Sequence, residues 1–160
     1  MRESSICRVG SKVPKTLRPS TSQSISFNNG KSSVSDYVPC LFLPALNSRS
    51  RQLILYFHAN GEDLGSSYSM CDHLRTALEL NVLAMEYPSY GVYKDDEGPS
   101  EDKILKDAEL VYNFIMDVAK VDERSIFVMG RSLGSGPATH LAAKLNPGAL
   151  LLMSPYTSIK

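Results

Sequence analysis

Residues 125–143, Ser-Ile-Phe-Val-Met-Gly-Arg-Ser-Leu-Gly-Ser-Gly-Pro-Ala-Thr-His-Leu-Ala-Ala, restrict the possible fold more than any other stretch of the chain. Residues 126–129 form a short apolar run, β-branched and aromatic in part, which reads as a buried strand stopping at Gly130. A helix is expected after it. Between the two lies Gly130-Arg131-Ser132-Leu133-Gly134, the G-x-S-x-G spacing of a nucleophile elbow, in which a tight strand-to-helix turn holds one serine strained and exposed. The glycines account for the spacing, because a side chain at either position would collide with the neighbouring strand or helix. The helix N-terminus then lies beneath Ser132 and aims the Leu133 N–H at any oxyanion formed there. A plain Gly/Ser turn would fit the same five residues, so the flanking chain has to decide.

Strands and helices alternate on both sides of this stretch. Tyr37-Val38-Pro39-Cys40-Leu41-Phe42-Leu43 reads as a strand that Pro39 confines to an edge or to the start of a strand. Leu53-Ile54-Leu55-Tyr56-Phe57 is almost unbroken in its apolarity, as expected of a central parallel strand buried on both faces. It delivers the polar small-residue loop His58-Ala59-Asn60-Gly61-Glu62-Asp63-Leu64-Gly65, placed where open α/β sheets bind ligands. A helix over 66–80 is expected to bury Met70, Leu74, Ala77 and Leu78, with His73 at the surface. A strand over 82–87 leads into the Pro88-Ser89-Tyr90-Gly91 turn. Ser100 caps a helix running to about residue 120, and its Ile104, Ala108, Val111, Ile115 and Val118 recur on one stripe. A sixth strand covers 149–153. The pattern predicts a doubly wound, mostly parallel sheet.

Composition narrows the function. Seventeen basic residues balance seventeen acidic ones, so no overall field favours nucleic acid. Cys7, Cys40 and Cys71 are odd in number and contain no C-x-x-C pair, which points to a reducing compartment, the cytoplasm, and to no structural metal. No cofactor is expected: Gly130, Gly134 and Gly136 lack the G-x-G-x-x-G spacing of a dinucleotide site, and there is no Walker lysine. Residues 1–36 hold ten serines and read as a largely disordered tail, with a short strand expected over 24–27 and a turn over 28–31. Pro14 and Pro19 would break the amphipathic helix of a transit peptide, although Arg2, Arg8, Lys12, Lys15 and Arg18 supply its charge. Cys7 among basic residues leaves a palmitoyl group, and with it a peripheral membrane contact, as an open reading.

Ser132 needs a base, and the base needs an orienting acid. No Asp or Glu follows Ser132, and the one later histidine, His140, lies eight helical residues on, roughly 12 Å along the axis. It is out of reach. His58 is read as holding its own turn by hydrogen bonds, with service as the base as the lesser reading.

Four stretches in this order resemble the α/β-hydrolase superfamily, and in particular its alpha/beta-hydrolase-domain branch, which includes palmitoyl-protein thioesterases and serine aminopeptidase-like proteins. They are the 58–65 loop, Glu86-Tyr87-Pro88-Ser89-Tyr90-Gly91, the elbow, and Ser154-Pro155-Tyr156-Thr157-Ser158. The resemblance spans about 38–160 and assigns 37–160 to a partial hydrolase domain made of the first six strands. It implies that Ser132 is the nucleophile, that the N–H groups of Asn60 and Leu133 form the oxyanion hole, and that the substrate is an acyl ester or an acylated protein. Ala59 and Ser89 stand where the family usually has glycine. The family's catalytic acid and histidine follow later strands, so the sequence is expected to be the N-terminal piece of a longer hydrolase. The competing reading is a noncatalytic protein that keeps the hydrolase fold as a binding surface.

Overall fold

The computed structural model describes residues 5–10, 37–47 and 49–157. Its strands are β1 (Ser5–Gly10), β2 (Tyr37–Leu43), β3 (Leu53–Phe57), β4 (Asn81–Met85), β5 (Ile126–Arg131) and β6 (Ala149–Met153). Its α-helices are α1 (Leu64–Leu78), α2 (Glu101–Asp117) and α3 (Ser135–Lys144). The strands form one sheet in the order β1-β2-β4-β3-β5-β6. β4, β3, β5 and β6 run parallel, while β2 pairs antiparallel with β4 and β1 antiparallel with β2. The sheet is therefore mostly parallel, with an antiparallel flank.

β3 explains why its sequence lacks alternation. Leu53, Leu55 and Phe57 enter a core shared with Ala108, Val111 and Ile115 of α2 and Leu141 of α3. Ile54 and Tyr56 point the other way, into a core shared with Leu64 and Cys71 of α1. Helices cover both faces, so every residue of the strand is apolar. The chain goes from β3 to β4 on one side of it and returns across it to β5. The carboxyl ends of β3 and β5 thus flank a topological switch point, where open α/β sheets bind their ligands.

The structure adds one strand to the expected set and corrects the course of α1. The segment 1–36 contributes a strand, β1, whose Val9 is fully buried opposite Val38. That segment read as tail because a six-residue strand with exposed positions has a weak signal until its partner is known. The strand expected over 24–27 and the turn over 28–31 lie outside the described residues. α1 begins at Leu64, two residues before the expected start, because Asp63 caps it: Asp63 accepts from Ser66 N at 2.7 Å while Ser66 Oγ accepts from Asp63 N at 2.8 Å. Leu64, Ser67 and Cys71 are buried, Met70 and Leu74 pack at the margin, and Ala77 and Leu78 are exposed. α2 buries Ile104, Ala108, Val111 and Ile115 of its expected stripe and Tyr112 besides, but it ends at Asp117, short of the expected residue 120, so that Val118 is its half-buried C-cap; Ser100 accepts from Lys103 N as expected.

Candidate active site

Ser132 sits one residue past β5, exposed, with a φ of 49°. This left-handed backbone is costly for a residue with a Cβ, and steric crowding on both sides sustains it. A Cβ on Gly130 would stand 2.2 Å from the Gly134 carbonyl oxygen, and one on Gly134 would stand 2.1 Å from the Phe57 carbonyl oxygen. Only glycine lets the turn close against β3. Ser132–Gly134 form a 3-10 turn that runs directly into α3, and Ser135 Oγ donates to Ser132 O at 2.6 Å. The first N–H groups of such a turn have no partner within it, and Leu133 carries one of them.

The loop after β3 faces the elbow, because Phe57 is in register with Gly130. Its Ala59 N–H donates to Glu62 Oε2 at 3.0 Å, and Glu62 N–H donates to Ala59 O at 3.0 Å. The other Glu62 oxygen accepts from Arg131 of the elbow, so one carboxylate ties the loop to the residue beside Ser132. Among the described residues, no acceptor takes the Asn60 N–H, and the Asn60 side-chain oxygen accepts from Tyr90. An open groove of about 510 Å³ runs between residues 60–63 and the 89–91 turn. A smaller apolar hollow of about 50 Å³ lies on the Leu133 side, between Ile104, Leu105, Pro137 and Tyr156.

His58 is fully buried and is not positioned as a base. Nε2 lies 3.0 Å from Glu86 Oε1 and Nδ1 lies 3.0 Å from Ala59 O. A carbonyl oxygen can only accept, so Nδ1 is the donor to Ala59 O, and Nε2 is taken up by the Glu86 carboxyl. Neither nitrogen is free to take a proton from Ser132. Glu86 Oε2 accepts from Leu64 N at 3.2 Å, the first N–H of α1, while Tyr87 donates to His58 O at 2.8 Å and packs its tilted ring against the imidazole, 4.1 Å between centroids. The pair clamps the base of the loop that presents Asn60. His140 lies on the far side of α3, where its Nε2 meets Glu109 Oε1 at 2.6 Å and Lys144 meets the same oxygen. Lys144, and then His140, hold the Glu109 carboxyl below its ordinary range. Among the described residues, no histidine hydrogen-bonds to Ser132, and no cluster of His, Cys, Asp and Glu could hold a metal ion.

Glu86, Glu62 and Arg131 lie within the sequence motifs, which give none of them a partner. Glu86 had a signal, since an ionisable residue directly after an apolar buried strand needs a buried partner, and His58 ends the neighbouring strand. Glu62–Arg131 had none, because it joins residues 69 positions apart. Ser89 stands at φ 66°, where the left-handed backbone accounts for the glycine usual there, and its hydroxyl donates to Asp95 O at 3.0 Å.

A mostly parallel sheet that hands a positive-φ serine from its strand end to a helix, facing a polar loop on the adjacent strand, is the architecture of an α/β hydrolase. The chain belongs to the α/β-hydrolase superfamily. It is 30% identical over 130 residues to an alpha/beta hydrolase of Acanthamoeba polyphaga mimivirus, covering 80% of this chain and 49% of that protein. It is also 30% identical over 122 residues to alpha/beta hydrolase domain-containing protein 17C of Xenopus laevis, covering 76% of this chain and 38% of that one. The chain thus spans half or less of the length of these relatives. A solved esterase from the bacterial hormone-sensitive lipase family shares the fold at a TM-score of 0.60 and 23% identity, over 74% of this chain and 41% of the esterase. No family model matches the chain. Among the described residues, no helix is long and apolar enough to cross a membrane.

Proposed function

We propose that this chain carries the nucleophile and oxyanion hole of a hydrolase of ester or thioester bonds, an acyl-protein thioesterase in the reading favoured by the sequence motifs. Ser132 attacks the acyl carbonyl, and the N–H groups of Leu133 and Asn60 receive the oxyanion. The observation that carries this reading is the strained, exposed Ser132, held at φ 49° between two glycines that cannot be enlarged. Strain of this kind persists where the surrounding structure enforces it, and it lifts the hydroxyl clear of the sheet. The histidines near the site support assigning the base to a longer form of the protein: His58 is committed to Glu86 and His140 to Glu109. The whole protein then supplies both base and acid from sequence outside these 160 residues.

The test is turnover of a short-chain acyl thioester by the 160-residue chain, by a form extended to the natural carboxyl end, and by Ser132→Ala in each. Only the extended form is expected to show strong Ser132-dependent turnover. The short chain retains at most the roughly 10³–10⁴-fold acceleration over water that an oxyanion hole and binding can give without a triad. Equal Ser132-dependent turnover by both forms would place the base within the present chain. An extended form that folds but is inert would favour the noncatalytic binding reading.

A further inference from the structure

Away from the elbow, two of the three cysteines face each other across paired strands. The β1–β2 register sets Cys7 directly opposite Cys40. Opposed residues on antiparallel strands have Cα atoms about 4.5 or 5.5 Å apart, according to the type of pair, and their side chains leave the same face. Both separations fall within the roughly 4.4–6.8 Å that a disulfide spans. The bond can close without the strands moving apart. Both thiols are free in this structure. Cys71 cannot compete for either one, since it is buried under α1 in the core on the other face of the sheet.

The two thiols differ in access. Cys7 is half-buried on an edge strand, whereas Cys40 is fully buried in the core. A reagent from solvent therefore meets Cys7 first. The environment adds a chemical difference: the Cys40 thiol, as hydrogen-bond partner, holds Cys7 below the usual thiol range, while burial pushes Cys40 well above it. The thiolate is the attacking species, so the accessible cysteine is also the one with the larger thiolate fraction.

We propose that Cys7 and Cys40 form a redox-responsive pair that closes to an intrachain disulfide by exchange with a small disulfide such as oxidised glutathione. The Cys7 thiolate attacks one sulfur of the oxidant, giving a Cys7–glutathione mixed disulfide and releasing one glutathione thiolate. Cys40 passes its proton to the glutathione thiolate released in the first step and attacks the Cys7 sulfur, forming the Cys7–Cys40 bond and expelling the second glutathione. Two protein thiols are oxidised and one glutathione disulfide is reduced to two thiols, so atoms and electrons balance. The product staples β1 to β2 and closes a loop of about thirty residues, which restricts the unfolded chain.

The folded chain is reduced, equilibrated in glutathione buffers of increasing oxidised fraction, alkylated and digested with trypsin. A cross-link between the peptides covering residues 3–8 and 32–49 is expected, with Cys71 alkylated throughout. In Cys40→Ser the glutathione adduct remains on Cys7, and in Cys7→Ser neither remaining cysteine takes up glutathione. Circular dichroism establishes that each variant is folded, and Cys71→Ser, which leaves the pair untouched, keeps the cross-link. Wild-type chain that shows Cys7 only as the mixed disulfide or the alkylated thiol overturns the proposal. A cross-link seen only in urea overturns it as well.

Discussion

Ser132 shows what one residue can cost and what holds it in place. A side chain in the left-handed region is disfavoured by about 1–2 kcal/mol, and only glycine escapes most of that. Among the described hydrogen bonds, none involves the Ser132 hydroxyl, so truncating it to alanine leaves the strain and removes no described bond. Ser132→Gly is therefore expected to be more stable than Ser132→Ala by about 1 kcal/mol, with neither variant retaining serine-dependent chemistry. Urea unfolding of both variants measures the difference, and a glycine variant no more stable than the alanine one would show that the turn is relaxed. His58 and Glu86 are the opposite case. Two groups that are unfavourable in a core become tolerable because each satisfies the other, and in doing so they clamp the loop behind Asn60.

Helix α1 is joined to the site through its N-terminus. Asp63 closes the capping box with Ser66, and the next N–H, that of Leu64, donates to Glu86. Hydrogen bonds from Ser66, chiefly from its backbone N–H, hold the Asp63 carboxyl below its ordinary range. A lowered folded-state pKa gives stability that is full above the unfolded value, near pH 4, and is lost as pH falls through the folded value. Asp63→Ala is expected to cost about 1 kcal/mol at neutral pH, and the gap to wild type should narrow at acid pH. Chemical unfolding at pH 7 and at about pH 3 tests both parts, and a gap that widens in acid would assign the effect to something other than the cap. At β6 the balance differs, since all five of its residues are exposed although each is apolar.

For the whole molecule, burial is concentrated at the centre of the sheet. All five β3 residues are buried, and β3 is paired on both sides by β4 and β5. In the reduced chain, the amides of β3 are expected to exchange most slowly, at the rate set by global unfolding, and those of β1 and β6 several-fold faster. Hydrogen exchange followed by mass spectrometry resolves these strands. Protection of β1 equal to that of β3 would mean that the antiparallel flank belongs to the same cooperative unit. The arrangement suits the proposed chemistry, because Ser132 and the Asn60 loop are carried by the two central neighbours, β5 and β3, rather than by the flanks.

Features whose physics is local were legible along the chain. The elbow was readable because its glycines, its strand and its helix are contiguous, and β3 because five consecutive apolar residues need cover on both faces. Ser100 and the α2 stripe followed from capping chemistry and a 3.6-residue period in the same way. Tertiary structure alone decided what depends on distant partners. β1 exists as a strand because β2, some thirty residues later, accepts it in register. The burial of His58 was settled by Glu86 and the bridge from the loop to the elbow by Glu62 and Arg131, contacts 28 and 69 residues apart in the chain. Periodicity and turn chemistry act within a few residues, whereas strand partners and ion pairs are chosen by which surfaces the folded chain brings together.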